Sequence, residues 1–148
     1  MKTLTLFTIG FTRKSAKSFF TLLRKAGVKR IIDIRLNASS QLAGFAKRKD
    51  LRFFLRVICD IDYVAVPDLA PTKDILESYR SDASGWEEYE RRYLALLEER
   101  KAELLLSRKM LKSGCLLCSE HEPDRCHRRL AAEYLLEKSG GIHIVHLL

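Results

Sequence analysis

The sequence predicts a single-domain α/β protein of three layers, a mostly parallel five-stranded sheet with helices on both faces. Three observations predict it. Short runs of apolar and β-branched residues alternate with segments of helical spacing from one end to the other. The 148 residues suit one domain with a real core. No repeat, linker or low-complexity segment interrupts the alternation.

The first strand is Leu4 to Ile9, stopped by Gly10. Ser15 is placed to cap a helix in which Phe19, Phe20, Leu23 and Ala26 recur on one face, and Gly27 ends it. A second strand runs from Arg30 to Leu36, followed by a polar loop from Asn37 to Ala46. A second helix sets Leu51, Phe54, Leu55 and Ile58 on one face. Asp62 to Val66 forms a third strand, ended by Pro67. Thr72 caps a helix through about Arg80. From Trp86 to about Leu111 the pattern reads as one long charged helix, ended by Ser113 and Gly114. Its Trp86, Tyr89 and Tyr93 form a stripe that reads as core. Cys115 to Cys118 is a fourth strand. Pro123 suits the start of a helix that buries Leu130, Ala131, Tyr134 and Leu135, and Gly140 and Gly141 end it. Ile142 to Leu148 is the last strand. Right-handed crossovers then favour the strand order 3-2-1-4-5.

Composition bounds the class. With 47% hydrophobic and 31% charged residues, the chain has the balance of a folded protein. It has no apolar run long enough to span a bilayer and no secretory leader, so a cytoplasmic protein without a membrane partner is expected. Its four cysteines are then read as core residues, ligands or nucleophiles before disulfides. The net charge of +8 is uneven. From Thr12 to Val57 there are 13 Lys or Arg against two Asp, whereas Asp74 to Glu103 holds nine acids and five bases. Such a field can attract nucleic acid or a phosphate-bearing small molecule, or it can be a solvated lysine surface.

The reactive residues gather between Leu116 and Arg129, where two of the four cysteines, two of the four histidines, three carboxylates and three arginines fall. Cys118 stands where a buried strand opens, with His127, Arg125 and Arg128 as cations able to favour its thiolate. Cys126 falls in the first helical turn, where the dipole favours thiolate too. Either cysteine can equally be a small core residue. Glu120, on the same side as Cys118, is the candidate general acid or base. Arg128 at a helix start suits anion binding. Asp33 and Arg35 share a strand face and can form a buried ion pair or line the site. The predicted order brings Gly10 and Thr12 beside Cys118 at the strands' carboxyl ends, the usual ligand position in such sheets.

Metal is not expected. Cys115 and Cys118 point to opposite faces of a strand, and Cys126 and His127 diverge by about 100° on a helix. No Gly-rich nucleotide fingerprint, P-loop or nucleophile elbow is present, so no cofactor is expected. His143 and His146 lie on opposite strand faces and read as structural.

The chain resembles the bacterial and archaeal family catalogued as domain of unknown function 488. The likeness rests on Thr8-Ile9-Gly10-Phe11, on Asp33-Ile34-Arg35 followed by Ser39-Ser40, and on Tyr63 with Pro67-Asp68-Leu69-Ala70-Pro71. It is completed by Leu117-Cys118-Ser119-Glu120 and Cys126-His127-Arg128. Ala38 and Ala70-Pro71 depart from the commoner pattern and suggest a subgroup. The resemblance implies a Rossmann-like domain and adds Ser40 to the substrate side of the site. It supplies no activity. Three functions stay open: an enzyme acting on a nucleotide or nucleic acid through Cys118, Glu120, Cys126, His127 and Asp33, with Gly10, Thr12, Arg35, Ser40 and Arg128 holding substrate; a non-catalytic nucleic-acid-binding module; and a thiol redox or metal module.

Overall fold

In the computed structural model, residues 2–36, 44–81, 83–120 and 122–148 are described. Five strands run parallel in the order β3-β2-β4-β1-β5. They are β1 (Leu4–Gly10), β2 (Arg30–Asp33), β3 (Asp62–Ala65), β4 (Gly114–Cys118) and β5 (Ile142–Leu147). The helices are α1 (Ala16–Ala26), α2 (Arg48–Phe54), α3 (Lys73–Arg80), α4 (Trp86–Arg100), α5 (Arg108–Leu111) and α6 (His127–Ser139). The fold is therefore the α/β, Rossmann-like arrangement that the alternation predicts.

Side-chain alternation along the strands divides the core in two. Leu4, Leu6, Ile32, Ile34 and Leu116 pack with Ile75 of α3, Tyr89, Tyr93 and Leu97 of α4, and Leu130, Ala131 and Leu135 of α6. Phe7, Ile9, Ile31, Cys115 and Leu117 pack on the other face with Phe19, Phe20 and Leu23 of α1 and Leu51 of α2. Burial on both faces is why these strands read as continuous apolar runs.

The strand order corrects the expected 3-2-1-4-5. β4, not β1, takes the centre, paired with β2 on one side and β1 on the other. Its sequence explains this: Gly-Cys-Leu-Leu-Cys carries no charge, and all five residues are buried. The strands with exposed or half-buried residues, β3 and β5, take the edges. The β1–α1–β2 crossover therefore skips the slot that β4 later fills.

Helix ends follow the local chemistry. Ser15 caps α1 by accepting from the Ser18 N–H at 3.1 Å, and Gly27 closes it at φ 77°. Thr72 caps α3 through the Ile75 N–H. The long helix expected from Trp86 to Leu111 is broken. Lys101 adopts φ 52° and ends α4. A single 3-10 turn (Ala102–Leu104) follows, and Ser107 caps the short α5 through the Met110 N–H. Ser107 was the overlooked start signal. α2 is shorter than its apolar pattern, because a π turn (Leu55–Cys59) follows it and leaves Ile58 exposed while Leu55 is buried. Pro123 does not start α6: the helix begins at His127, with Cys126 as its cap. Among the described residues, no helix is long and apolar enough to cross a membrane.

Candidate functional site

The carboxyl ends of β1, β2 and β4 meet at one place. Gly10 is level with Cys118, and Asp33 with Leu117. Chain beyond these ends must pack tightly. A Cβ on Gly10 would stand 1.5 Å from the Glu120 carbonyl oxygen and 2.8 Å from Arg128 Nη1. Only glycine admits that approach. Thr12 fastens the same loop, since both its N–H and its hydroxyl donate to the Ser119 carbonyl.

Two arginines are buried here, and each is built differently. Arg35 is clamped by Asp33: Nε donates to Oδ1 at 2.8 Å and Nη2 to Oδ2 at 2.7 Å. The Arg35 N–H donates to the same carboxylate at 3.1 Å, and the Tyr63 hydroxyl donates to Oδ2. The guanidinium also lies over the Phe11 ring, 5.5 Å from its centroid. Burial and the hydrogen bond to Asp33 push the Tyr63 pKa up to about 12. Arg35 is 3% exposed, and among the described residues its buried Nη1 has no hydrogen-bond partner. Buried N–H groups of that kind are rare in native proteins.

Arg128, in the first turn of α6, has no exposed surface. Its Nε donates to Thr8 Oγ1 at 3.3 Å and its Nη1 to Cys118 Sγ at 3.1 Å. Nη1 also donates to the Glu120 carbonyl. Thr8 Oγ1 in turn lies 2.6 Å from His146 Nδ1, which gives that histidine a structural role. Burial lowers the Arg128 pKa to about 10, which still leaves it cationic at neutral pH.

Cys126 has the extended backbone of a helix cap, φ −139° and ψ 142°, and offers no side-chain hydrogen bond to the helix. Its sulfur is bonded to that of Cys118, with the Cα atoms 7.6 Å apart, so this pair forms a disulfide where the sequence leads one to expect free thiols. His127 follows at the first helical position. Its Nε2–H donates to the Ile34 carbonyl at 2.8 Å, so Nδ1 carries the free lone pair. Its ring meets Tyr93 edge-on at 5.7 Å. Burial lowers the His127 pKa to about 4, so the ring is neutral near pH 7. The sulfurs of Cys118 and Cys126 and a ring nitrogen of His127 all lie within 4.8 Å of one another.

These groups form part of a cleft of about 270 Å³ on the α3, α4 and α6 side. Its reactive wall is Cys118, Ser119, Glu120, Cys126 and His127, joined by Arg35, Arg80 and Arg125. Pro71, Leu76, Tyr79 and Tyr89 also line it. Of the residues singled out from sequence, Cys118, Glu120, Cys126, His127 and Arg35 line the cleft directly. Asp33 and Arg128 lie behind it and hold Arg35 and the Cys118 loop. Gly10 and Thr12 pack and fasten the Glu120 segment. Ser40 and His121 fall outside the described residues. Cys115 faces the other layer, as strand parity requires, and burial raises its thiol pKa.

Arg80, Tyr79 and Tyr89 were not picked from sequence. Nothing local marks Arg80, which ends an ordinary helix. Tyr89 belongs to the aromatic stripe read as core; it is buried and borders the cleft as well. Cys126 as a cap also removes the geometric objection to a shared ion, because Cys126 and His127 no longer sit on one helical wheel.

The chain belongs to the family described as Domain of unknown function DUF488, whose model matches residues 15–135. No curated protein and no solved structure matches it. Pro71 is one of the cleft residues.

Proposed function

We propose that this protein is an enzyme acting on a phosphate-bearing small molecule of about mononucleotide size, bound in the cleft. One juxtaposition carries the reading: the buried Arg35, whose Nη1 has no partner among the described residues, lines the same cleft as Cys118, Cys126 and His127. Arg35, Arg80 and Arg125 are the groups to hold the anion, since guanidinium forks match phosphate oxygens. Tyr79 and Tyr89 offer aromatic surface for a base or similar ring. The cleft volume lies near the small end of ligand sites, which favours a nucleotide over a duplex. Glu120 is the candidate to move a proton, standing exposed at the rim of that wall.

Calorimetric titration with inorganic phosphate, nucleoside monophosphates and a single-stranded oligonucleotide tests this. A monophosphate should bind, and Arg125→Ala, which alters an exposed residue, should weaken it about tenfold or more, the usual scale for a charged hydrogen bond. Arg35→Lys should do the same if it folds. If no probe binds, or if both variants bind as the wild type does, the reading fails. Oligonucleotide binding that falls steeply with salt yet ignores Arg125→Ala would point instead to a non-catalytic nucleic-acid module.

A further inference from the structure

We infer that Cys118, Cys126 and His127 form a three-ligand site for a soft divalent metal ion, zinc by preference, with its fourth position open to the cleft. Three observations carry this. The three donor atoms converge within 4.8 Å of one another. The two cysteines present their sulfurs from Cα atoms 7.6 Å apart, outside the roughly 4.4–6.8 Å that covalently bridged pairs span. The sulfurs, now in bonding contact, must part once reduced to admit an ion, and this wide backbone separation suits two thiolates on one ion better than a bridge. Third, His127 is oriented as a metal ligand is. Its Nε2–H donates to the Ile34 carbonyl, which fixes the tautomer and turns Nδ1 free as the donor atom.

The surroundings suit the ion. Two thiolates and a neutral imidazole are the ligand types zinc takes, and three protein ligands with one open position mark its catalytic sites rather than its structural ones. A small-molecule thiol first reduces the Cys118–Cys126 bond, leaving two thiols and becoming a disulfide itself; zinc binding then releases the two thiol protons to solvent, and the dication and two thiolates leave a neutral centre. Arg128 donates to Cys118 Sγ at 3.1 Å and holds that ligand from behind. The three ligands come from the end of β4 and the start of α6, both anchored in the core, so the site is built on rigid elements. Arg35 and Arg125 line the same cleft. The inference deepens the proposed function, and rests on it only for the substrate: an ion there would meet a phosphate-bearing ligand and a water at its open position.

The test is elemental analysis of full-length protein purified under reducing conditions without chelator, together with cobalt(II) titration of the metal-stripped form. One zinc per chain is expected. Cobalt should give the visible ligand-field bands of a tetrahedral site and a near-ultraviolet thiolate-to-cobalt band. Cys126→Ser and His127→Gln should each lower metal content at least about fivefold. His127→Gln keeps a donor for the Ile34 carbonyl, and circular dichroism checks that each variant folds. Cys59→Ala, away from the cleft, should retain full metal. Metal-free protein without cobalt bands overturns the inference, as does metal content unchanged in both variants. So does a mass two hydrogens low that reports a Cys118–Cys126 disulfide kept under reducing conditions. The monophosphate titration separates the two ideas. Metal without nucleotide binding would leave this site standing and sink the proposed substrate; nucleotide binding without metal would do the reverse.

Discussion

The two helical layers bury different things. The α1 and α2 side is an apolar seal. Phe19 and Phe20 meet edge to face at 5.2 Å, Phe45 joins them, and Leu23, Leu51 and Leu55 fill the rest. The α3, α4 and α6 side buries Thr8 and the whole of Arg128, and it opens into the cleft. Surface charge runs the other way. Most of the stretch with 13 Lys or Arg against two Asp builds the sealed layer, Arg35 in the cleft and Arg13 beside Glu120 being exceptions, and the acidic stretch supplies α3 and α4 beside the cleft. Most of the protein's excess positive charge therefore lies away from its reactive residues. On the proposed function, anion recognition in the cleft rests on a few placed guanidiniums, not on the general field.

That contrast predicts where substitutions will hurt. Asp33→Asn should cost most, about 3–5 kcal/mol in denaturant unfolding, because it leaves the Arg35 guanidinium buried without its counter-charge. Adding Arg35→Met should recover part of the loss. Should the single variant be as stable as wild type, the buried pair does not organise this end of the sheet. Arg128→Met comes next, at about 2–4 kcal/mol, since it strands the Glu120 carbonyl and Thr8 hydroxyl that Nη1 and Nε now satisfy. Gly10→Ala should cost about 1–3 kcal/mol and weaken nucleotide binding as well, because the added methyl must displace the Glu120 backbone. Unchanged melting and binding would mean that the loop is not held there.

A fourth expectation concerns pH. The Tyr63 phenol is raised to about 12 in the folded protein, against an unfolded value near 10. Its folded-state pKa is the higher, so the neutral phenol stabilises the fold fully below pH 10. That contribution is lost as pH rises from 10 through 12. Tyr63→Phe should flatten the fall of stability in this window, measured by urea unfolding at fixed ionic strength. An equally steep fall in the variant would assign it to other groups.

The sequence was readable where local chemistry decides structure. Ser15 and Thr72 cap as their positions suggest, and Gly27 closes α1. The Asp33–Arg35 pair follows from two charges on one strand face. The motif from Cys118 to Arg128 marked the site because a strand exit and a helix start meet there. What could not be read depended on distant partners. β4 takes the central slot because its five residues are the ones best buried between β1 and β2, a comparison among strands that no single window contains. Arg80 and Tyr79 reach the cleft only through the packing of α3. The break after Arg100 hid behind charged residues that suit a helix equally well, and Ser107 alone signalled it. Cys126 was misplaced by a few residues at a helix start. That error mattered more than its size, because a cap and a first-turn residue point their side chains differently.

The smallest expected effect tests the separation of charge from chemistry. Lys17 and Lys49 are exposed and stand in the first turns of α1 and α2, on the sealed layer. Replacing both with Glu changes net charge by four, yet a carboxylate is favoured at a helix start by some tenths of a kcal/mol. Stability should therefore stay within about 0.5 kcal/mol of wild type. Screening limits exposed charges to about 8 Å at physiological salt, less than the thickness of the sheet and its helices. Monophosphate affinity in the cleft should then change less than about twofold at that salt, while any adsorption of oligonucleotide should drop. A tenfold loss of monophosphate affinity would show that the basic layer does bind the ligand, and that the guanidiniums of the cleft do not act alone.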